Sequence, residues 1–198
     1  KQKTAYEIPK RDWSSDVCSS DLIHGLGDRE REWLEYAAFL HDIGNHISYP
    51  KHHRHSYYLI KHGDLRGFEP AEIDIIALVT RYHRRATPKD GHIGYDDLGK
   101  KDRKTVQVLA ALLRLAETLD RSKHGVVRGI EVRERLGELR FNVQAVGDAE
   151  LEVWAANKQL GAIEEAFERK ARIDKMPYRK ASAPSAALAG NQIGRAHV

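Results

Sequence analysis

The stretch AAFLHDIG, Ala37 to Gly44, decides how the rest of this chain is read. Trp33, Leu34, Ala37, Ala38 and His41 recur at helical spacing, so a helix is expected over residues 29–41, with Asp28 as its cap. Gly44 ends it, and the helix therefore delivers an adjacent histidine and aspartate at its fraying end. Adjacent side chains on a helix face different ways. At an open end, however, Asp42 can turn toward an ion that His41 already faces. Imidazole nitrogen and carboxylate oxygen together suit a borderline divalent metal. Alone, such a pair is a weak signal.

A second stretch, LLRLAETLDRS over residues 112–122, strengthens it. Val106, Leu109, Leu113 and Ala116, widened by Leu112 and Leu119, define the buried face of a long helix expected over residues 102–122. Asp120 follows Leu113 and Ala116 at successive steps of three and four, on or near that face. A carboxylate there needs a metal, a cation or a hydrogen-bond partner to offset desolvation on the order of several kcal/mol. A salt bridge to an arginine such as Arg81, or a cap on a neighbouring element, is the competing explanation.

Between these points lie His46, His52, His53 and His55, joined by His83 at the inward edge of another helix. Neutral imidazoles ligate metals and protonated ones pair with phosphate. His24, His62, His92 and His124 read as surface or satisfied core residues. Basic side chains gather on the same elements: Lys51 and Arg54, then Arg81, Arg84 and Arg85, then Arg121 and Lys123. Arginine grips phosphate oxygens with a bidentate fork and lysine with a mobile point charge. Candidate metal ligands are therefore His41, Asp42 and Asp120. Candidate polyanion-binding residues are Arg54, His55, His83, Arg84, Arg85, Arg121 and Lys123. A solvated basic surface is the bland alternative. No glycine-rich phosphate loop, paired cysteine motif or nucleophile elbow is present, and neither Ser48 nor Ser56 has the context of a nucleophile.

The remaining elements fall around this centre. A helix is expected over residues 53–62, stopped by Gly63. Another opens at Phe68-Glu69-Pro70 and carries Ile73, Ile76 and Val79 towards His83. Residues 87–99 read as a loop. From Val126 the period changes to two, predicting short strands at residues 127–133, 139–145 and 151–154, with turns at Gly137 and Gly147-Asp148. Leu160, Ile163, Ala166 and Phe167 mark a last helix, and residues 175–191 carry no apolar stripe and read as disordered.

Across its 198 residues the chain has 31% charged residues and a formal net charge of +4, an excess that points weakly to an anionic partner. No apolar run approaches the roughly 20 residues needed to span a bilayer, and a cytoplasmic location is the default. The single cysteine, Cys18, cannot form an internal disulfide. Residues 1–22, KQKTAYEIPKRDWSSDVCSSDL, resemble a translated sequencing adapter, as do the last six, IGRAHV. Both ends are set aside from the folding argument. On that reading the chain would start in mid-gene at about Ile23.

As a set, LHDIG (40–44), ISYxxHHxHSYYLI (47–60), DLxGF (64–68), IALVxRYHRR (76–85) and LLRLAxxLDRS (112–122) resemble the C-terminal domain of the exopolyphosphatase and guanosine pentaphosphate phosphatase family. The end of the chain, from GVVRGIEV to ELEVWAA, looks like the family's small α/β tail. The resemblance implies a mainly α fold: an HD-type helical domain over residues 23–125, truncated at its N-terminus, then an α/β appendage over 126–173 with three short antiparallel strands and a helix. Residues 174–198 would form a tail. It also implies that His41, Asp42 and Asp120 are three of four ligands of a divalent metal, the earlier histidine lying upstream of Ile23. Hydrolysis, with magnesium, would belong to actin-like domains that precede this segment. The fragment, inactive alone, would hold polyphosphate or guanosine pentaphosphate and contribute contacts to a homodimer. The alternative is a stand-alone metal-dependent HD phosphohydrolase acting on a nucleotide or phosphate ester. A nucleic-acid-binding module has only basic charge behind it and ranks last.

Overall fold

The computed structural model describes residues 25–84 and 86–178. The adapter-like segment, His24, Arg85 and the tail from residue 179 lie outside the described residues. The elements run α1 (Asp28–Leu40), a 3-10 turn (Ile43–His46), α2 (His52–His62), α3 (Pro70–Arg81), α4 (Lys100–Leu119), β1 (Val127–Arg135), β2 (Glu138–Ala145), α5 (Glu150–Asn157), α6 (Leu160–Phe167) and β3 (Lys170–Pro177). The fold is mainly α with a small α/β part, as the sequence implies.

Helix α3 is the centre of the first layer. Ile75 through Thr80 are buried without a break, so the helix is covered on nearly every side, by α1, α2 and α4. Pro70 sits in its first turn, and the Glu72 carboxylate accepts the Glu69 N–H at 2.8 Å, closing the N-terminus. Helix α1 starts differently from expectation: Asp28 is inside it, and the Glu30 carboxylate reaches back to the Gly27 N–H at 2.9 Å.

Helix α4 is a wall shared by two apolar clusters. Val106, Leu109, Ala110 and Leu113 face Trp33, Ala37, Ile76 and Val79. Val108, Ala111, Leu115 and Leu119 face the sheet and the last two helices, against Leu139, Phe141, Val143 and Ile163. A helix apolar on two faces has to be buried on both.

The sheet has the order β1-β2-β3. β1 and β2 form an antiparallel hairpin in which Arg135 pairs with Glu138 across Leu136-Gly137, both at positive φ. That is the two-residue turn whose twist suits a hairpin. Along β2, burial alternates strictly, with Leu139, Phe141, Val143 and Ala145 inward.

The third strand departs from the sequence reading in place and direction. Residues 151–154 are in helix α5, not a strand. Asp148, expected in a hairpin turn, instead accepts the Glu150 N–H at 2.9 Å and starts a helix. The strand that completes the sheet is β3, and it runs parallel to β2 rather than antiparallel. Only Ile173 of β3 is buried, and the edge carries Lys170, Arg172, Asp174 and Lys175. This is the charged edge that deters further strand pairing, and it erases the alternation by which a strand is recognised. Residues 174–177, expected in the tail, belong to it.

Arg114 ties the two halves of the first layer together. It is buried, and its Nη2 donates to the carbonyls of Tyr82 at 2.8 Å and Ala86 at 2.7 Å, fixing the turn after α3. Arg114→Met should keep the apolar stem but leave both carbonyls without a donor. A loss on the order of 3 kcal/mol is expected in urea unfolding followed by circular dichroism.

Candidate functional site

Three histidines from three elements point into one place. His41 caps the end of α1, His52 opens α2, and His83 follows α3. Each turns its ring the same way. His41 Nδ1 lies 2.7 Å from the Ala38 carbonyl, His52 Nδ1 3.1 Å from the Tyr49 carbonyl, and His83 Nδ1 2.6 Å from the Thr80 carbonyl. A carbonyl oxygen only accepts, so each Nδ1 carries a proton and each Nε2 is turned inward.

Those Nε2 atoms converge on Asp42. Its carboxylate is 3.2 Å from His52 Nε2 and 3.5 Å from His41 Nε2. The Nε2 atoms of His52 and His83 are 3.3 Å apart. One ligating atom from each of Asp42, His52 and His83 falls within 4.8 Å of the others. His52 and His83 are buried, at 4% and 0% exposure, and His41 Nε2 is enclosed with no hydrogen-bond partner. Burial pushes the His83 imidazole down to about 4, with His41 and His52 adding and the Thr80 carbonyl and Asp42 opposing. His53 stands beside the group, its ring 6.5 Å from that of His83, and burial lowers it too.

The histidine–aspartate turn is held by α2. Ser56 Oγ accepts the Gly44 N–H at 2.9 Å and donates to the His41 carbonyl at 2.7 Å. Ser56 is therefore a clamp and not a nucleophile. Gly44 is required by the approach: a Cβ there would overlap the His52 carbonyl and the Ser56 amide nitrogen, and meet His55 Cβ at 2.8 Å.

On the α4 side the carboxylate that faces the group is Glu117, not Asp120. Glu117 Oε2 is 3.9 Å from His83 Nε2. Burial raises its carboxyl, Asp42 adds to that, and His41, Arg84 and Lys123 oppose it. Asp120 is placed off the buried face, because α4 ends at Leu119. It is exposed and pairs with Lys123 at 3.2 Å. Glu117 lies four residues after Leu113, on the same stripe, so the signal was present one helical turn earlier than Asp120.

Beside the group a cleft opens between α4 and the turn after α3, lined by His83, Arg84, Glu117, Arg121, Lys123 and Gln159, with Arg114 beneath. A second cleft, lined by His53, Arg81 and Arg84, flanks Arg84 on its other side. Four of the candidate polyanion residues, His83, Arg84, Arg121 and Lys123, thus meet at one opening. Arg54 is exposed on α2, and His55 is half-buried against Gly44; neither lines these clefts. Arg85 lies outside the described residues. His46 is exposed.

A helical domain with a histidine–aspartate cluster beside a basic cleft is the class these features define. The chain belongs to the Ppx/GppA phosphatase family: the model of its domain III matches residues 12–160. It is also similar to a guanosine-5'-triphosphate,3'-diphosphate pyrophosphatase of Pseudoalteromonas translucida (strain TAC 125), with 35% identity over 86 residues. That match covers 43% of this chain and only 16% of the relative's length. No helix among the described residues is long and apolar enough to cross a membrane.

The clamp can be tested directly. Ser56→Ala should cost on the order of 2 kcal/mol, since it strands a buried N–H and removes a donor from the His41 carbonyl. Gly44→Ala should cost more and lower Tm further, because two backbone atoms must move. Thermal melts of both variants check the order.

Proposed function

We propose that this chain is the phosphate-chain-holding domain of a Ppx/GppA enzyme, binding polyphosphate or guanosine pentaphosphate while hydrolysis is carried out by other domains of a longer protein. The observation that carries this reading is the cleft where Arg84, Arg121 and Lys123 meet. Two guanidinium groups and an ammonium group on one opening suit an extended anion whose oxygens repeat along its length. The relative's name supports the nucleotide branch, since that protein acts on guanosine-5'-triphosphate,3'-diphosphate. Exposed apolar side chains support a homodimer contact in the same enzyme: Phe39, Ile47 and Tyr49, at 79%, 54% and 70% exposure. The enzyme would work in the cytoplasm, its hydrolytic half using magnesium.

A second reading, a metal-dependent phosphohydrolase acting on a nucleotide or phosphate ester, is favoured by one observation. The Nε2 atoms around Asp42 form a site in which a metal could activate water.

Equilibrium binding to long-chain polyphosphate separates the readings. The chain should bind, and affinity should fall steeply with salt as phosphate counterions are released. Arg84→Glu with Arg121→Glu should weaken binding at least tenfold, while Arg66→Glu, on an exposed loop, should leave it unchanged. Unchanged binding in the double variant would refute the cleft. Phosphate release by the chain alone, abolished in Asp42→Ala, would move the assignment to the second reading.

A further inference from the structure

Arg121 and Lys123 stand on the short turn between α4 and β1, where neither helix nor strand fixes the backbone. Lys123 is left-handed, with φ of 58°, and Gly125 follows at 60°. A lysine keeps that conformation only where its surroundings hold it. Bonds within the turn close it: the Lys123 N–H donates to the Asp120 carbonyl at 3.0 Å, and the His124 N–H to Ser122 Oγ at 3.4 Å. They do not fix which way it faces.

The group that reaches the turn from outside is Glu152, in the first turn of α5, a helix that packs against α4. Glu152 is 2% exposed, and a carboxylate so placed needs hydrogen bonds to offset its desolvation. It takes them from the Ser122 hydroxyl, from its own amide and from the Ser122 amide. The Ser122 hydroxyl above all holds the carboxyl below the usual range, against the opposing effect of burial. Its Oε1 is enclosed with no hydrogen-bond partner. The bonds to Ser122 are therefore what ties this acid to the rest of the molecule.

We infer that Glu152 is a positioning residue for the anion cleft proposed above, on which this role rests: by drawing Ser122 inward it turns Arg121 and Lys123 outward to the anion. Consecutive side chains leave the backbone in different directions, so an anchored middle residue commits the two beside it. The burial agrees. Ser122 is half-buried, while Arg121 and Lys123 are exposed and line the cleft. Gln159, at the start of α6, lines the same opening, so the α/β part supplies both a wall of the cleft and the anchor of its cations. The sign of the effect separates this role from plain electrostatics. Removing a negative charge near a cationic opening should strengthen anion binding, whereas releasing the turn should weaken it.

The test is equilibrium binding of long-chain polyphosphate to the full chain and its variants. Glu152→Ala should weaken binding at least tenfold, and Ser122→Ala by a similar factor. Glu152→Gln keeps an acceptor for the Ser122 hydroxyl and should recover most of the loss. Glu150→Ala removes the same charge from an exposed position on the same helix and should leave affinity unchanged. In a chain that already carries Arg121→Ala and Lys123→Ala, Glu152→Ala should cause no further loss, which a general destabilisation would not produce. If Glu152→Ala does not fold, Ser122→Ala carries the comparison. Folded Glu152→Ala or Ser122→Ala variants that bind as tightly as the parent would overturn the role, as would a Glu152→Ala loss of full size without the two cations. Failure of the parent to bind would remove the cleft and this role with it, so the two failures are read apart.

Discussion

The same short-range hydrogen bond is made at three places, and the site depends on it. His41, His52 and His83 each give their Nδ1 proton to the carbonyl three residues earlier, that of Ala38, Tyr49 and Thr80. Ala38 and Thr80 are in the last turns of their helices, where carbonyls have no partner within the helix. The histidine thus satisfies a helix end and in doing so aims its other nitrogen inward. Because three elements do this around one point, their packing and their chemistry are one arrangement. The approach of α2 to the turn at Gly44, tied by Ser56, brings the first two rings together, and Arg114 holds the turn that carries the third.

Helix α4 connects this centre to the rest of the molecule. One of its faces seals the helical layer, the other receives the sheet, its last turn brings Glu117 to the histidines, and the turn that follows it brings Arg121 to the cleft. The end of α4 and the turn that follows it therefore bring Glu117 and the cations Arg121 and Lys123 to one place. The geometry places the imidazole cluster against an opening lined by cations.

Much of this was legible in the chain. The helices announce themselves by apolar spacing, and β2 by strict alternation, because each buries one face against a continuous core. Helix α5 and strand β3 were not legible, for opposite reasons. In ELEVWAAN the alternation of Leu151 and Val153 with Glu150 and Glu152 mimics a strand, while a carboxylate at Asp148 starts a helix. β3 is a charged edge with one buried residue, so nothing in its composition marks the face it uses. At the site, the histidines were visible as a cluster, but which of them meet depends on how three helix ends converge. No spacing within one helix carries that information. The long helix could be phased from Leu113, yet where it stops could not: it ends at Leu119, between a half-buried Glu117 and an exposed Asp120.

The chain belongs to the Ppx/GppA phosphatase family, and its imidazole cluster stands beside a cleft lined by cations. The central claim is that three backbone carbonyls, each three residues earlier in the chain, fix three imidazoles with Nε2 facing inward. Long-range proton–nitrogen NMR on the 15N-labelled chain at neutral pH reads it directly, with or without added metal. The account predicts a protonated Nδ1 on His41, His52 and His83 alike. A bare Nδ1 with the proton on Nε2 at any of the three would contradict it.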